Sequence, residues 1–185
     1  MLKKSKDDMS GNQSDQKNKS KKRLKRAIIH FIMKMAFVAL AGYGILTYVL
    51  GFYRMGDNNM FPNIKDGDLC ILYKLEDYHS NEIVLYHSPD GNIRLGRIVA
   101  IEGQQVDFPD EGGYTVNGYQ PSEEITYETN NAEKTNIQFP LDIEEGKVFI
   151  LNDFRSLTED SREYGSIDKS DICGKLIFIL RRRGF

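Results

Sequence analysis

Residues 56–68 read GDNNMFPNIKDGD, and the interpretation of the whole chain depends on them. The segment sets Met60 and Pro62 inside a run of asparagines and aspartates, a few residues after the most hydrophobic stretch of the sequence. Asn, Asp, Gly and Pro favour turns because they tolerate unusual backbone angles or fix φ. The pattern therefore fits an ordinary polar turn, or the mouth of a site in which Asn59 holds the place of a reactive residue.

The hydrophobic stretch before this segment is MAFVALAGYGILTYVLGFY, residues 35–53, which contains no charged residue in 19 positions. About 20 apolar residues cross a bilayer as a helix. Because residues 27–34 are also mostly apolar, we predict a transmembrane helix over 27–53. A cleaved signal peptide is the alternative. It is disfavoured because a long charged region precedes the span and no small-x-small cleavage site follows it.

Charge is distributed unevenly along the chain. Residues 1–26 contain ten Lys or Arg and three Asp, whereas residues 54–185 contain 14 basic and 24 acidic residues. A basic tail is compatible with nucleic-acid binding, but this one leads directly into the hydrophobic span, so we predict no nucleic-acid partner. Basic residues flank membrane spans on the cytoplasmic side. We therefore predict a cytoplasmic, disordered tail over 1–26, a span in the lipid bilayer of the cell membrane over 27–53, and an extracellular domain over 54–185.

Beyond residue 54 the apolar residues recur with the spacing of strands, in short runs between turn residues. The predicted strands are LCILYKL (69–75), EIVLYH (82–87), IRLGRIVAIEG (93–103), YTVNGY (114–119), KVFILND (147–153) and ICGKLIFIL (172–180). The Asn117-Gly118 pair is a hairpin signal, and residues 120–140, acidic and amide-rich, indicate a loop or an insertion. The predicted fold class is mostly β, preceded by one transmembrane helix.

The histidines and cysteines give no metal site. His30, His79 and His87 lack the spacing of metal ligands, so we predict no metal and no cofactor. Cys70 and Cys173 lie in apolar, strand-like runs, and outside the membrane they could form a disulfide. We favour two buried free thiols.

Several motifs follow one another in the outer region. They are Asn59-Met60-Phe61-Pro62-Asn63-Ile64, then Gly96-Arg97-Ile98-Val99-Ala100-Ile101-Glu102-Gly103, then Tyr114-Thr115-Val116-Asn117-Gly118, and last the run from Asn152 to Gly165 with Asp160-Ser161-Arg162 inside it. In this order, behind a membrane span, they resemble the type I signal peptidase family of bacteria, from residue 35 to the end. The resemblance implies a membrane-anchored β fold that binds an extended peptide and cleaves it with a Ser/Lys dyad.

The resemblance places the dyad at two positions that cannot perform its chemistry, Asn59 and Gly96, hereafter the dyad positions. The family's serine precedes the Met of Met-x-Pro, where this chain has Asn59, and its lysine precedes the Arg of the next motif, where this chain has Gly96. The reaction needs a hydroxyl to attack the carbonyl and a neutral amine to take its proton. A carboxamide is a poor nucleophile, glycine supplies no base, and the Arg97 guanidinium stays protonated. We therefore expect no catalytic residue.

The resemblance also assigns the remaining site residues. The peptide-groove candidates are Asn59, Met60, Phe61 and Pro62, and the residues expected to support the site are Arg97, Asp153, Thr158, Asp160, Ser161 and Arg162. Asp160 and Arg162 are expected to form an ion pair. Further departures from the family pattern are Asn152-Asp153-Phe154 in place of Gly-Asp-Asn, and Asn63 in place of a threonine.

The leading hypothesis is an inactive signal-peptidase homologue that keeps the anchor and the peptide groove. Inactive homologues of this kind occur with sortase-assembled pili in Gram-positive bacteria. The resemblance therefore implies a chaperone-like or scaffold factor for exported polypeptides, with a pilin precursor as client and sortase as a further partner. One alternative is a serine endopeptidase that cleaves exported preproteins with another nucleophile, such as Ser161 or Thr158. Another is a structural membrane partner that binds no peptide.

Overall fold

The computed structural model describes residues 4–75, 77–110, 112–122, 127–131 and 137–181. The chain divides into two compact units, residues 1–46 and residues 47–185. The first unit is helical, and the second contains the strands and the turn of residues 56–68.

The N-terminal helix α1 spans Lys4–Gly44 and continues into a π-helical segment, Ile45–Val49. The segment Lys21–Val49 has 29 residues and a mean hydropathy of 1.8, and none of it is buried, so it is long and apolar enough to cross a membrane.

Both ends of this helix differ from the sequence-based expectation. Residues 4–26 are helical rather than disordered, since they contain no proline and are rich in lysine, which favours helices. The helical segment stops at Val49 instead of residue 53, because the apolar run continues as a strand, Leu50–Arg54. The domain limits 1–26, 27–53 and 54–185 otherwise stay predictions.

The strands form two antiparallel sheets, which confirms the mostly-β prediction. They are β1 Leu50–Arg54, β2 Leu69–Tyr73, β3 Ile83–His87, β4 Ile93–Ile101, β5 Gln105–Asp107, β6 Thr115–Val116, β7 Leu141–Asp142, β8 Lys147–Leu151, β9 Ile167–Asp168 and β10 Ile172–Leu180. The larger sheet has the order β1-β2-β10-β3-β4-β8-β9, and the smaller one the order β6-β5-β7. A short helix, α2 Ser161–Tyr164, follows β8, and a 3-10 turn, Lys169–Asp171, precedes β10.

Each of the six predicted strands coincides with an observed one. The hairpin signal is also confirmed: Asn117 and Gly118 have φ angles of 53° and 78°, and Val116 and Tyr119 exchange main-chain hydrogen bonds of 2.9 and 3.0 Å. Strands β1, β5, β7 and β9 were not predicted. The first continues the hydrophobic span, and the other three have only two or three residues, too few to show an alternation.

The turn of residues 56–68 packs onto the larger sheet through two apolar side chains. Met60 and Ile64 are fully buried in a cluster that includes Leu72 of β2 and Leu95 of β4. Burial of a Met or Ile side chain stabilises a fold by about 1.5–3 kcal/mol. These two residues therefore hold the turn, which carries Asn59, against the sheet in which β4 carries Gly96.

Both cysteines are free thiols, as favoured from the sequence. Cys70 is buried, whereas Cys173 is only half-buried. The prediction of a loop or insertion over 120–140 falls partly on residues 123–126 and 132–136, which lie outside the described residues. Residues 127–131 belong to neither a helix nor a strand.

Candidate functional site

Side-chain hydrogen bonds shape the turn that carries Asn59. The carboxylate of Asp57 accepts a hydrogen bond from the main-chain N–H of Asn59 at 3.1 Å. The side-chain oxygen of Asn58 accepts one from the N–H of Asp66, also at 3.1 Å. Asp and Asn bend the chain in this way because their short side chains reach nearby main-chain groups. The Asp57-Asn58 pair thereby positions Asn59 against the sheet.

Asn59 is buried, with 2% of its surface exposed, and connects three segments of the chain. Its Nδ2 donates to the main-chain oxygen of Leu95 at 2.8 Å and to Oδ1 of Asn152 at 3.2 Å. Its own main-chain oxygen accepts a hydrogen bond from the N–H of Phe154 at 2.8 Å. The Leu95 carbonyl belongs to the peptide bond with Gly96, so the fold does bring the two dyad positions together.

Gly96 leaves no room for a side chain. A Cβ atom added there would overlap the Cγ2 methyl of Ile150 and lie 3.2 Å from Cε1 of Tyr86. Ile150 and Tyr86 are themselves fully buried members of one core cluster. Protein interiors are close-packed, so inserting even one methyl group displaces its neighbours. The place from which a lysine side chain would start is therefore filled by the core.

An ion pair lies next to the dyad positions, since Arg97 follows Gly96 in β4. Nε and Nη2 of Arg97 donate to the two carboxylate oxygens of Asp153, each at 2.7 Å. Asn63 of the turn also donates to Asp153, at 2.8 Å, and Nη1 of Arg97 reaches the main-chain oxygen of Asn81 at 3.0 Å. Bidentate Arg–carboxylate pairs are strong and directional. This pair fastens the turn to β4 and to the segment after β8.

A second ion pair, Asp160 with Arg162, is fully buried. Nε and Nη2 of Arg162 donate to the carboxylate at 2.9 and 2.7 Å, and Nη1 donates to the main-chain oxygen of Arg155 at 2.8 Å. The same carboxylate accepts a hydrogen bond from the N–H of Asn152 at 3.0 Å. The expected ion pair is thus present. Together with the Arg97–Asp153 pair it is called the arginine scaffold below.

Ser161 lies inside this scaffold and is fully buried. Its Oγ accepts a hydrogen bond from the main-chain N–H of Ile150 at 2.9 Å. The half-buried Thr158 contributes its main-chain oxygen to the N–H of Asp160 at 2.7 Å. A buried hydroxyl bonded to the main chain positions a strand, and a peptide cannot approach it.

Three half-buried aromatic residues, Phe61, Phe154 and Tyr127, gather beside Asn59. The rings of Tyr127 and Phe154 are 4.7 Å apart and nearly perpendicular. Phe61 lies 6.5 Å from Phe154, also edge to face, and 6.4 Å from Tyr127. The ammonium group of Lys65 sits 5.3 Å from the centre of the Phe61 ring. Edge-to-face rings and a cation over a ring face are favourable arrangements.

Comparison with known proteins identifies the family. A family model described as signal peptidase, peptidase S26, matches residues 28–181. The chain belongs to this family. It is 23% identical over 174 residues to signal peptidase IB of Staphylococcus aureus (strain COL), a match that covers 84% of this chain and 90% of that protein. Signal peptidase I V of Bacillus subtilis (strain 168) is 24% identical over 165 residues, covering 77% and 96%. A crystal structure of a signal peptidase I from Enterococcus faecalis V583 gives a TM-score of 0.47 at 23% identity, over 56% of this chain and 100% of that one.

The predicted groove residues of this signal peptidase family member differ in their exposure to solvent. Phe61 is half-buried and Pro62 is exposed, so both reach the surface. Met60, predicted as a groove residue, is instead fully buried in the core cluster under the turn. Its thioether side chain fills the gap between the turn and the sheet, an adaptable packing role that Met often performs.

Two residues of the site were missed in the sequence. Asn152 was noted only as a departure from the family pattern, yet its side chain joins Asn59 to the loop after β8, where its Nδ2 donates to Leu157 O at 3.1 Å. The signal available in the sequence was that Asn152 has a side chain where the family pattern has glycine. Tyr127 gave no signal, because its segment has no apolar periodicity. Among the described residues, no group of three or more His, Cys, Asp or Glu is arranged to hold a metal ion.

Proposed function

We propose that this chain is a membrane-anchored, catalytically inactive member of the signal peptidase family, which holds an exported polypeptide at the outer face of the membrane without cleaving it. One observation carries the proposal. Where the two dyad positions meet, the Asn59 side chain is buried with its Nδ2 hydrogen-bonded, and the core fills the space beside Gly96. Neither an attacking hydroxyl nor an amine base has a place there.

The chemistry of the neighbouring groups supports the same conclusion. Cleavage of a peptide by a serine-type mechanism needs a hydroxyl activated by an adjacent base. Ser161, the alternative nucleophile, is fully buried and accepts a hydrogen bond from a strand N–H. Both carboxylates of the arginine scaffold are paired with guanidinium groups. These groups support a fixed shape rather than a proton transfer.

The binding mode follows from the fold. Extended peptides bind β domains by pairing their main chain with strand edges while alternate side chains enter pockets. Phe61, Phe154 and Tyr127 offer half-buried apolar surface beside the turn. The helix is apolar enough to cross a membrane, and basic residues such as Lys21 and Arg26 before it favour a cytoplasmic N-terminus. The client we propose is a pilin precursor in sortase-dependent pilus assembly, with sortase as a further partner.

Site-specific photo-crosslinking in the native membrane tests this proposal. A photoreactive phenylalanine analogue replaces Phe61 in the full chain, and a matched control protein carries it at Tyr119, which is 79% exposed at the hairpin turn. We expect a crosslink from position 61, and not from position 119, to an exported precursor whose mass shows that its signal segment is still attached. Crosslinks to a cleaved product only, or equal crosslinking from both positions, would contradict the proposal.

A further inference from the structure

Residues 127–131, called the strap below, connect the loop before β6 with the arginine scaffold. The main-chain oxygen of Thr129 accepts a hydrogen bond from the N–H of Gly113 at 2.7 Å, and Thr129 is only 8% exposed. The main-chain oxygen of Asn130 accepts one from Nη1 of the buried Arg162 at 2.9 Å. The strap is thus fastened in its middle through two of its main-chain oxygens, one bonded to a main-chain N–H and the other to the Arg162 guanidinium.

Tyr127, at the start of the strap, supplies the third ring of the aromatic cluster. Its ring meets Phe154 edge to face at 4.7 Å and lies 6.4 Å from Phe61. These two partners come from segments on either side of Asn59: Phe61 follows it in the turn, and the N–H of Phe154 donates to its main-chain oxygen. Tyr127 therefore covers aromatic surface directly beside the dyad positions.

Because the strap is fastened beyond Tyr127, another ring can replace the Tyr127 ring without unfolding the domain. The two bonded main-chain oxygens lie two and three residues beyond Tyr127, so the ring can swing away while Thr129 and Asn130 stay attached. Phe61 and Phe154 would then expose apolar ring surface that an incoming ring can cover. An aromatic side chain satisfies this surface better than an aliphatic one of similar size, because ring edges and faces carry opposite partial charges.

We propose that Phe61 and Phe154 form a docking site for one aromatic side chain of the client polypeptide, and that Tyr127 occupies this site when no client is bound. The inference rests on the proposed function and adds to it the chemical class of residue that the client presents. A client ring has to displace Tyr127. The apparent affinity for the client is therefore the intrinsic affinity multiplied by the fraction of time that the site is free.

A tryptophan-containing peptide is a sensitive probe, because the chain itself contains no tryptophan. The probe has nine residues, alternating serine and threonine with tryptophan at the centre, and its emission is followed as it is titrated with the full chain in detergent. An otherwise identical peptide with leucine at the centre serves as competitor. The variants are Tyr127→Ala, Phe154→Leu and, as a matched control, Tyr119→Ala.

We expect Tyr127→Ala to bind the tryptophan peptide roughly two- to tenfold more tightly than the wild type, the range that one aromatic pair supplies. Phe154→Leu should bind it more weakly by a similar factor, and Tyr119→Ala should match the wild type. The leucine peptide should compete poorly with the tryptophan peptide for every protein that retains Phe154. Thermal unfolding of each variant shows that it is folded, and Tyr127→Ser is a second variant that removes the ring.

Other results overturn the inference. If both Tyr127 variants bind the tryptophan peptide no better than the wild type, Tyr127 does not occupy the docking site. If the tryptophan and leucine peptides bind equally to all the proteins, the site has no preference for aromatic residues, although a client can still be held there. If no protein binds the tryptophan peptide while the crosslink from position 61 is obtained, the docking site is refuted and the proposed function stands.

Discussion

The dyad positions and the arginine scaffold are in contact through Asn152, which bonds both Asn59 and Asp160, and they differ in what they contain. In the scaffold, Asp153 and Asp160 each keep a bidentate arginine partner at 2.7–2.9 Å. At the dyad positions, an amide hydrogen-bonded to its surroundings and a packed core take the place of reactive groups. Under the proposed function, the scaffold keeps the shape of a binding surface beside positions that no longer carry out chemistry. This contrast is the reason for preferring a binding role.

The largest expected effect concerns the scaffold. Asp160→Ala leaves the Arg162 guanidinium buried without its carboxylate, and removing one partner of a buried ion pair destabilises proteins by about 3–5 kcal/mol. We expect a loss of this size in the free energy of unfolding, measured by urea denaturation of the full chain in detergent with tyrosine fluorescence.

The control for this variant is Glu144→Ala, which removes the 70% exposed partner of Lys147. Exposed ion pairs contribute little because water screens them, so the urea midpoint should hardly change. If Asp160→Ala also left the urea midpoint unchanged, the buried Asp160–Arg162 pair would not stabilise the domain.

The next effect concerns the core beside Gly96. Gly96→Ala should destabilise the outer domain by about 1–3 kcal/mol, because its methyl group overlaps Ile150. Gly56→Ala is the matched control, since no atom of another segment lies within 4 Å of a Cβ at that position. Denaturation of the two variants side by side measures the difference.

A double variant locates the overlap. Ile150→Ala removes the methyl group in question, so Gly96→Ala should be less harmful in that background than in the wild type, a coupling between contacting residues. Equal effects of Gly96→Ala in both backgrounds would show that Ile150 does not close the site. The same packing predicts that Asn59→Ser with Gly96→Lys restores no cleavage while Ile150 is present.

The smallest effect concerns the hydrogen bonds of Asn59. Asn59→Ala removes two hydrogen bonds that connect the turn to β4 and to Asn152, a loss of about 1 kcal/mol each by typical values. The turn should then open more often and expose Cys70, which lies in the same core cluster as Met60. Burial raises the pKa of the Cys70 thiol to about 11, so its thiolate is scarce at pH 8 and labelling is slow.

Labelling with a thiol reagent at pH 8, followed by mass spectrometry of the Cys70 peptide, measures this opening. We expect faster modification of Cys70 in Asn59→Ala than in Asp66→Ala, because the exposed Asp66 takes part in the same turn through its main-chain N–H. The half-buried Cys173 serves as an internal reference. Equal rates at Cys70 in the two variants would mean that Asn59 does not hold the turn.

The sequence predicted the fold class and six of the ten strands of the described residues, because their apolar residues alternate or form runs bounded by turns. It could not separate β1 from the helix, since Leu50–Arg54 continue the hydrophobic run. At the site, motif order located Asn59, Gly96 and the Asp160–Arg162 pair. Partners distant in sequence were not visible: Asn152 meets Asn59 across 93 positions. Only coordinates show that Ile150 fills the space beside Gly96.

A cleavage time course tests directly whether this signal peptidase family member hydrolyses a peptide bond. The full chain in detergent is incubated with an exported preprotein at equimolar concentration, and the precursor is followed by mass spectrometry alongside the Ser161→Ala variant. Precursor incubated with the wild type should stay intact, at the level of a reaction without enzyme. Cleavage at one defined bond by the wild type, abolished in Ser161→Ala, would contradict the proposed function.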